Sequence, residues 1–271
     1  GILTILSAMV LGVVQGLTEF LPISSSAHLL IARHVFGWDL AQFGLLFDIS
    51  CHVGTLLAIV VYFRRKLADM LMSLPFVFNR DPVPAAQLLR RITLATVPIG
   101  FIGLVFGDAI VSTLRTPVVV AAALTIGGVV LLKVERNGSK SRDENTLTMP
   151  EAFGLGLAQM TALIPGVSRS GAVVAVSMWF GLQRDAAARV AFLLGVPAVL
   201  GAAGVEGWII SGQNFLTEEL LLLAVGMATS AIVGYFTISY FISFVGRYSL
   251  DVFAYYRFGL AGSIAIWLVV P

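Results

Sequence analysis

The stretch QGLTEFLPISSSAH, residues 15–28, concentrates polar side chains within an otherwise apolar chain. It holds a Gln, a Glu, three consecutive Ser and a His, although only 12% of the 271 residues are charged and 58% are hydrophobic. Pro22 interrupts it, and a proline removes a helix hydrogen bond and disfavours helical backbone at the residue before it. Residues 2–33 are therefore predicted to form two short helices joined by a polar bend.

Composition identifies the class of protein. A mean hydropathy of +0.94 and long apolar runs predict an all-α polytopic membrane protein. The net charge of +2, with no basic and aromatic cluster, argues against a nucleic-acid partner. Cys51 is the single cysteine, so it is predicted to be a packed thiol, and GILTILSAMVLG lacks the features of a removable signal peptide. Six runs have membrane length: 41–63, 90–108, 117–133, 187–210, 218–245 and 252–270.

A second broken segment, residues 150–180, resembles the first. LGVVQGLTEFLPISSSAHL (11–29) aligns with LGLAQMTALIPGVSRSGAV (155–173), so that Gln15 falls on Gln159 and Ser24 on Ser168. Each copy holds one broken pair and three spanning helices, an odd number of crossings if the broken pairs are re-entrant. The copies are therefore predicted to form an inverted repeat of residues 1–135 and 150–271, joined by a cytoplasmic connector, 136–149.

The basic residues predict the orientation in the membrane. Only Arg33 and Arg115 fall on the side of the two termini, and Arg169 is the one basic residue placed deep in the membrane. By the positive-inside rule the opposite side is cytoplasmic, and the two bends enter from opposite sides to meet near the midplane. The cytoplasmic set is Arg64, Arg65, Lys66, Arg80, Arg90, Arg91, Lys133, Arg136, Lys140, Arg142, Arg184, Arg189, Arg247 and Arg257.

The residue types in the two bends indicate a phosphate or pyrophosphate site. Gln15 and Glu19 lie one turn apart on one helix face, and a carboxylate in a bilayer needs a cation, a proton or a water-filled cavity. Ser24 is placed to cap the next helix, whose N-terminus attracts anions. Arg169 supplies the guanidinium that suits bidentate phosphate binding. The hydroxyls grouped with it are those of Ser24, Ser25, Ser26, Ser168 and Ser170.

These motifs resemble those of the bacterial undecaprenyl pyrophosphate phosphatases associated with bacitracin resistance. QGLTEFLPISSSAH is similar to the first motif of that family and PGVSRSG (165–171) to its second, and the likeness covers essentially the whole chain. The resemblance implies six spanning helices with two re-entrant pairs. It also implies hydrolysis of undecaprenyl pyrophosphate to undecaprenyl phosphate with a divalent Mg or Ca ion, in the bacterial inner membrane, at a site open to the periplasm.

Carried over to this chain, the resemblance makes Glu19 the metal ligand or base and Gln15 a further metal or substrate ligand. Many relatives have Glu in place of Gln15, so metal binding here depends mainly on Glu19. Arg169 would clamp the pyrophosphate with the help of Ser24, Ser26, Ser168 and Ser170. Ser25 is the favoured nucleophile with His28 as acid or base; a phosphohistidine at His28 and an activated water are the alternatives. His34 and His52 are predicted to be structural.

A carrier or flippase for a phosphorylated lipid is the alternative function, because inverted repeats with broken helices are typical of secondary transporters. Glu19, Ser25 and His28 together are more reactive than binding alone requires, which favours the enzyme. The expected partners are a lipid pyrophosphate substrate and membrane lipid, and a homodimer is left open.

Overall fold

The computed structural model describes residues 2–38, 44–209 and 216–269. Within these ranges the chain is all-α, with one isolated bridge between Arg142 and Leu182 and no strand, which confirms the predicted class. The α-helices in chain order are α1 Ile2–Thr18, α2 Ser25–Phe36, α3 Leu45–Tyr62, α4 Arg64–Met72, α5 Pro84–Leu114, α6 Pro117–Asn137, α7 Met149–Met160, α8 Arg169–Trp179, α9 Arg184–Ile209, α10 Thr217–Val245 and α11 Asp251–Val269.

Six of these helices are long and apolar enough to cross a membrane: α3, α5, α6, α9, α10 and α11. They coincide with the six predicted runs, whose residues 41–43, 210 and 270 lie outside the described part of the chain. α5 begins six residues before its predicted run because Pro84 occupies the first turn, where its missing N–H costs no hydrogen bond. The short helix α4 was not predicted.

Both broken segments form two helices joined by a bend. α1 ends at Thr18 and α2 begins at Ser25, while α7 continues through a 3-10 turn, Thr161–Leu163, before α8 begins at Arg169. The residue that caps each second helix has a left-handed backbone, with φ of 73° at Ser24 and 69° at Ser168. Left-handed backbone is costly for a residue other than glycine and is typical of functional sites.

Packing relates the two halves of the chain. α1 packs on α10, and its counterpart α7 packs on α5, which is the counterpart of α10. The repeat-related glycines Gly12 and Gly156 allow this approach: a Cβ would lie 2.9 Å from the carbonyl oxygen of Gly226 and 2.6 Å from that of Ala95. These contacts relate one helix pair of each half, and the inverted repeat itself stays a prediction. Its orientation in the membrane stays a prediction.

Charged side chains gather at the opposite ends of α3. Near its start, Asp48 accepts hydrogen bonds from Arg33, and Arg115 lies 3.6 Å from the same carboxylate. Beyond its end, Glu144 in the connector accepts hydrogen bonds from Lys66 at 2.6 Å and Arg189 at 2.9 Å. This separation matches the two sides assigned from the sequence.

Glu144 illustrates how strongly the connector is held. Burial raises the pKa of its carboxyl, but the hydrogen bonds from Arg189 and Lys66 outweigh burial and lower the pKa from 4.5 to about 2. Folding therefore favours the ionised carboxylate, and the connector is stabilised by these ion pairs at neutral pH.

The sequence predicted Arg257 at the cytoplasmic side, and this prediction is wrong. It is 1% exposed and donates hydrogen bonds to the carbonyl oxygens of Pro22, at 3.0 Å, and Val167, at 3.2 Å. The bends leave these carbonyls without helical partners, and a guanidinium has enough N–H groups to satisfy several at once. It also reaches the carbonyls of Ala123, Leu124 and Gly166. Arg169 is therefore not the only basic residue in the interior.

Candidate active site

The two bends touch each other. Arg169 Nη2 donates a hydrogen bond of 2.7 Å to Glu19 Oε1, and Gly166 N donates one of 3.3 Å to Ser26 Oγ. Ser170 Oγ donates to the carbonyl oxygen of Leu21 at 3.3 Å. Residues about 150 positions apart in the sequence therefore form one site.

Glu19 is the centre of this site. Its side chain is 5% exposed, and its Oε2 accepts hydrogen bonds from Gln15 Nε2 at 3.0 Å and Ser25 Oγ at 2.8 Å. With Arg169 on Oε1, both carboxylate oxygens have donors, so the ionised form is stabilised in spite of burial. The contact with Ser25 has the geometry that a general base needs towards the hydroxyl it activates.

A cavity of about 220 Å³ lies at this centre. Its lining divides into a polar part, formed by the two bends and α3, and an apolar part, formed mainly by α5, α9 and the 3-10 turn. The polar residues are Glu19, Ser24, Ser25, Ser26, His52, Ser168 and Arg169, and the apolar ones are Ile49, Ile99, Ala162, Leu163, Ala198, Val199, Ala202 and Ala203. Such a lining suits a ligand with a charged head and an apolar tail.

Arg169 has hydrogen-bonding capacity left for a ligand. Nη2 binds Glu19, but the buried Nη1 has no hydrogen-bond partner among the described residues. The guanidinium fits against α9 only because Gly195 lacks a side chain: a Cβ there would lie 1.8 Å from Nη1. A buried donor without a partner is costly, and the guanidinium lines the cavity, where it is placed to bind a phosphate oxygen.

The bend serines divide into two roles. Ser24 Oγ and Ser168 Oγ cap α2 and α8 by accepting hydrogen bonds from Ala27 N, at 3.4 Å, and Gly171 N, at 3.1 Å. Both helix N-termini therefore face the cavity, where they favour an anion. Ser170 lies outside the cavity lining and is 1% exposed, so it joins the bends instead of facing a ligand.

His28 is placed away from the cavity. Its Nδ1 lies 2.7 Å from the carbonyl oxygen of Ser24 and its Nε2 lies 2.7 Å from Tyr256 Oη, so both ring nitrogens are engaged. The predicted acid–base pair requires His28 to contact Ser25, but the structure does not bring the two side chains together. Glu19 occupies that position.

His52 is the functional candidate that sequence reasoning missed. It lines the cavity, with Nδ1 at 3.0 Å from Gln15 Nε2 and 3.5 Å from Glu19 Oε2. The neighbouring Cys51 is a buried free thiol, as predicted. His52 lies 33 positions after Glu19, within an apolar helix and outside both motifs, so no local pattern marks it.

Comparison with known proteins agrees with this geometry. Residues 8–263 match the family model described as Bacitracin resistance protein BacA. The chain belongs to this family. A relative named Undecaprenyl-diphosphatase from Rubrobacter xylanophilus is 44% identical over 271 residues, which covers 99% of this chain and 100% of the relative. One of the same name from Thioalkalivibrio sulfidiphilus is 39% identical over 265 residues, covering 96% of this chain and 97% of the relative.

The divalent cation expected from the sequence stays a prediction for this bacitracin resistance family member, and two oxygen-bearing side chains bear on it. Glu19 offers a carboxylate, and the neighbouring Gln15 Oε1 is buried without a hydrogen-bond partner among the described residues. Within the described ranges, no group of three His, Cys, Asp or Glu side chains could form a complete metal cage. Mg²⁺ and Ca²⁺ prefer oxygen ligands, and Mg²⁺ usually completes its shell with water and phosphate oxygens.

Proposed function

We propose that this protein hydrolyses undecaprenyl diphosphate to undecaprenyl phosphate and inorganic phosphate. Membership of the bacitracin resistance family and the name shared by its relatives support this reaction. The observation that carries it is the hydrogen bond from Ser25 Oγ to the buried Glu19, which Arg169 holds from the second bend. The product would return to cell-wall synthesis as the lipid carrier.

Substrate binding would use the groups that the cavity presents. The pyrophosphate would lie at the polar end, near the Arg169 guanidinium and the N-termini of α2 and α8, and the first part of the lipid chain would lie along the apolar wall. When phosphate oxygens take the guanidinium, the Arg169–Glu19 ion pair is weakened. Glu19 then becomes a stronger base at the moment it is needed.

Ser25 Oγ attacks the terminal phosphorus while its proton passes to Glu19 Oε2. The bond to the bridging oxygen breaks, undecaprenyl phosphate leaves with the electron pair, and Glu19 gives the proton to an oxygen of that leaving phosphate. In the second step Glu19 takes a proton from water, which attacks the phosphoserine, and returns it to Ser25 Oγ as the P–O bond breaks. His28 would fix the bend through the Ser24 carbonyl and take no proton.

A divalent Mg or Ca ion would be held by Glu19 and Gln15 together with the pyrophosphate. When bound, it would neutralise charge on the phosphate oxygens and so favour departure of undecaprenyl phosphate. Gln15 carries no charge, so we expect weak metal affinity in the absence of substrate.

We place the protein in the bacterial inner membrane as an inverted repeat, with both bends re-entrant and the cavity open to the periplasm. The positive-inside rule supports the orientation of the helices, and the resemblance of the two motifs to the family supports the periplasmic opening. At the opposite end, ion pairs of Glu144 with Lys66 and Arg189, and of Glu135 with Arg184, tie the helix ends together. These ion pairs support entry of the substrate from the other, periplasmic side.

Phosphate release from undecaprenyl diphosphate by the detergent-purified protein tests this function. We expect chelator-sensitive release that falls to background in Ser25→Ala and Glu19→Gln. Ser263→Ala is the matched control, because that hydroxyl is exposed and bonds only within its own helix, to the carbonyl of Gly259. Retained release in Ser25→Ala would favour attack by water, and no release from folded wild-type protein would favour a carrier.

A further inference from the structure

His52 faces the cavity that the proposed reaction uses. It lies on α3, opposite the bend that carries Ser25, and its side chain is 35% exposed whereas that of the adjacent Glu19 is 5% exposed. An imidazole that only joined two helices would be bonded on both nitrogens, as His28 is. His52 instead has hydrogen-bond partners among the described residues on Nδ1 only, and it lines the cavity.

The hydrogen bonds around Gln15 determine which nitrogen of His52 carries the proton. Glu19 Oε2 only accepts, so the group of Gln15 at 3.0 Å from it must be the amide NH₂. The same NH₂ lies 3.0 Å from His52 Nδ1. Nδ1 therefore accepts, and a neutral ring must carry its hydrogen on Nε2. The carboxylate of Glu19 thus orients the amide of Gln15, and the amide in turn determines the tautomer of His52.

Nε2 is thus a hydrogen-bond donor that no described protein group uses, at the wall of a cavity lined by Arg169 and two helix N-termini. Its surroundings are complementary to an anion. α9 contributes only apolar side chains to this wall, so among the described residues the charged groups of the lining are Glu19 and Arg169.

We propose that His52 is a substrate-binding residue that donates its Nε2 hydrogen to a phosphate oxygen of the lipid pyrophosphate. This rests on the proposed function and adds a residue to it. In this arrangement Gln15 holds the imidazole in the donating tautomer. The donor remains in place through both steps, because no proton of the reaction passes through it.

Two isosteric substitutions separate this role from packing. Relative to imidazole, the amide nitrogen of Asn reaches the Nδ1 position and that of Gln reaches the Nε2 position. We expect kcat/KM of His52→Gln to exceed that of His52→Asn by about tenfold or more, mainly through KM, since a hydrogen bond to a charged group is worth that much. Equal values for the two variants would overturn the proposal. Wild-type turnover in the same assay tests the proposed function separately.

A footprinting measurement on the wild-type protein needs no variant. Diethyl pyrocarbonate acylates accessible imidazole nitrogens, and peptide mass spectrometry reports each histidine. We expect methylenediphosphonate, a non-hydrolysable pyrophosphate analogue, to protect His52 and not His34, which packs against Trp267 outside the cavity. Protection of neither residue under conditions in which the analogue inhibits turnover would contradict the assignment.

Discussion

Gly195 on α9 is expected to be essential for activity although it takes no part in the reaction. A Cβ at this position would lie 1.8 Å from Arg169 Nη1 and 2.6 Å from Cζ, so an alanine would overlap the guanidinium. Non-bonded carbon and nitrogen atoms do not approach that closely, and relief requires a shift of more than about 1 Å. Gly195→Ala is therefore expected to break the 2.7 Å contact between Arg169 and Glu19.

The size of the effect follows from the lost interaction. Removing one preorganised donor from a phosphate or oxyanion site typically lowers kcat by about 10² to 10³-fold, or about 3–4 kcal/mol. Overpacking the interface between α8 and α9 costs about 1–3 kcal/mol of folding free energy. We expect Gly195→Ala to fold with a modestly lower melting temperature and to lose at least about 100-fold in phosphate release.

Two comparisons isolate the guanidinium as the cause. Gly201→Ala lies on the same helix, where a Cβ would have no neighbour within 4 Å, and should leave kcat unchanged. In an Arg169→Ala background, Gly195→Ala should cause little further loss, because the group it displaces is already gone. Full activity in Gly195→Ala, or independent losses in the double variant, would refute the reasoning.

Three further predictions concern stability in detergent, measured by thermal unfolding. Arg257→Met should destabilise the protein by about 3 kcal/mol or more, since the carbonyls of both bends lose their donor. Gly127→Ala should have a similar effect, because its Cβ would lie 2.1 Å from Arg257 Nη2. Gly259→Ala is the control and should not destabilise, because its Cβ would have no neighbour within 4 Å. Gln159→Leu should stabilise by about 1 kcal/mol, because both amide atoms are buried without a described partner, and lower stability would contradict this. The ionised Glu144 should contribute on the order of 2 kcal/mol to the free energy of unfolding. This contribution is present above pH 4.5 and is lost as the pH falls towards about 2. It should be absent from Glu144→Gln, and equal acid sensitivity in that variant would exclude the carboxyl as its source.

Sequence reasoning succeeded where a local rule applies. The apolar length of six segments predicts the spanning helices. Pro22 and Pro165, each followed by a Ser-rich stretch, mark the two bends, whereas Pro98 and Pro197 lie inside α5 and α9 without ending them. The internal likeness of the two bends also predicts that they share a backbone, which the left-handed Ser24 and Ser168 bear out. Each of these inferences uses only residues close together in the chain.

It failed where long-range contacts decide the role of a side chain. Charge counting places Arg257 at the cytoplasmic side, but the free carbonyls of two distant bends draw it into the interior. His28 belongs to the first motif, yet Tyr256, 228 positions away, holds its ring outside the cavity. Conversely, His52 belongs to no motif and reaches the site because α3 packs beside α1. Such outcomes depend on tertiary packing and have no local signature.

The two bends share a scaffold and differ in chemistry. At repeat-related positions, Ser25 of the first bend corresponds to Arg169 of the second, and Glu19 corresponds to Leu163, and all four line the same cavity. In the proposed reaction, one half would thus supply the nucleophile and base, while the other would supply the guanidinium and part of the apolar wall. Gln15 donates to Glu19, which lies one turn further along α1. The repeat-related Gln159 has Leu163 at the corresponding position, so its amide is buried without a partner among the described residues. A pyrophosphate on a lipid needs both sets of groups at once, so neither half could carry out the reaction alone.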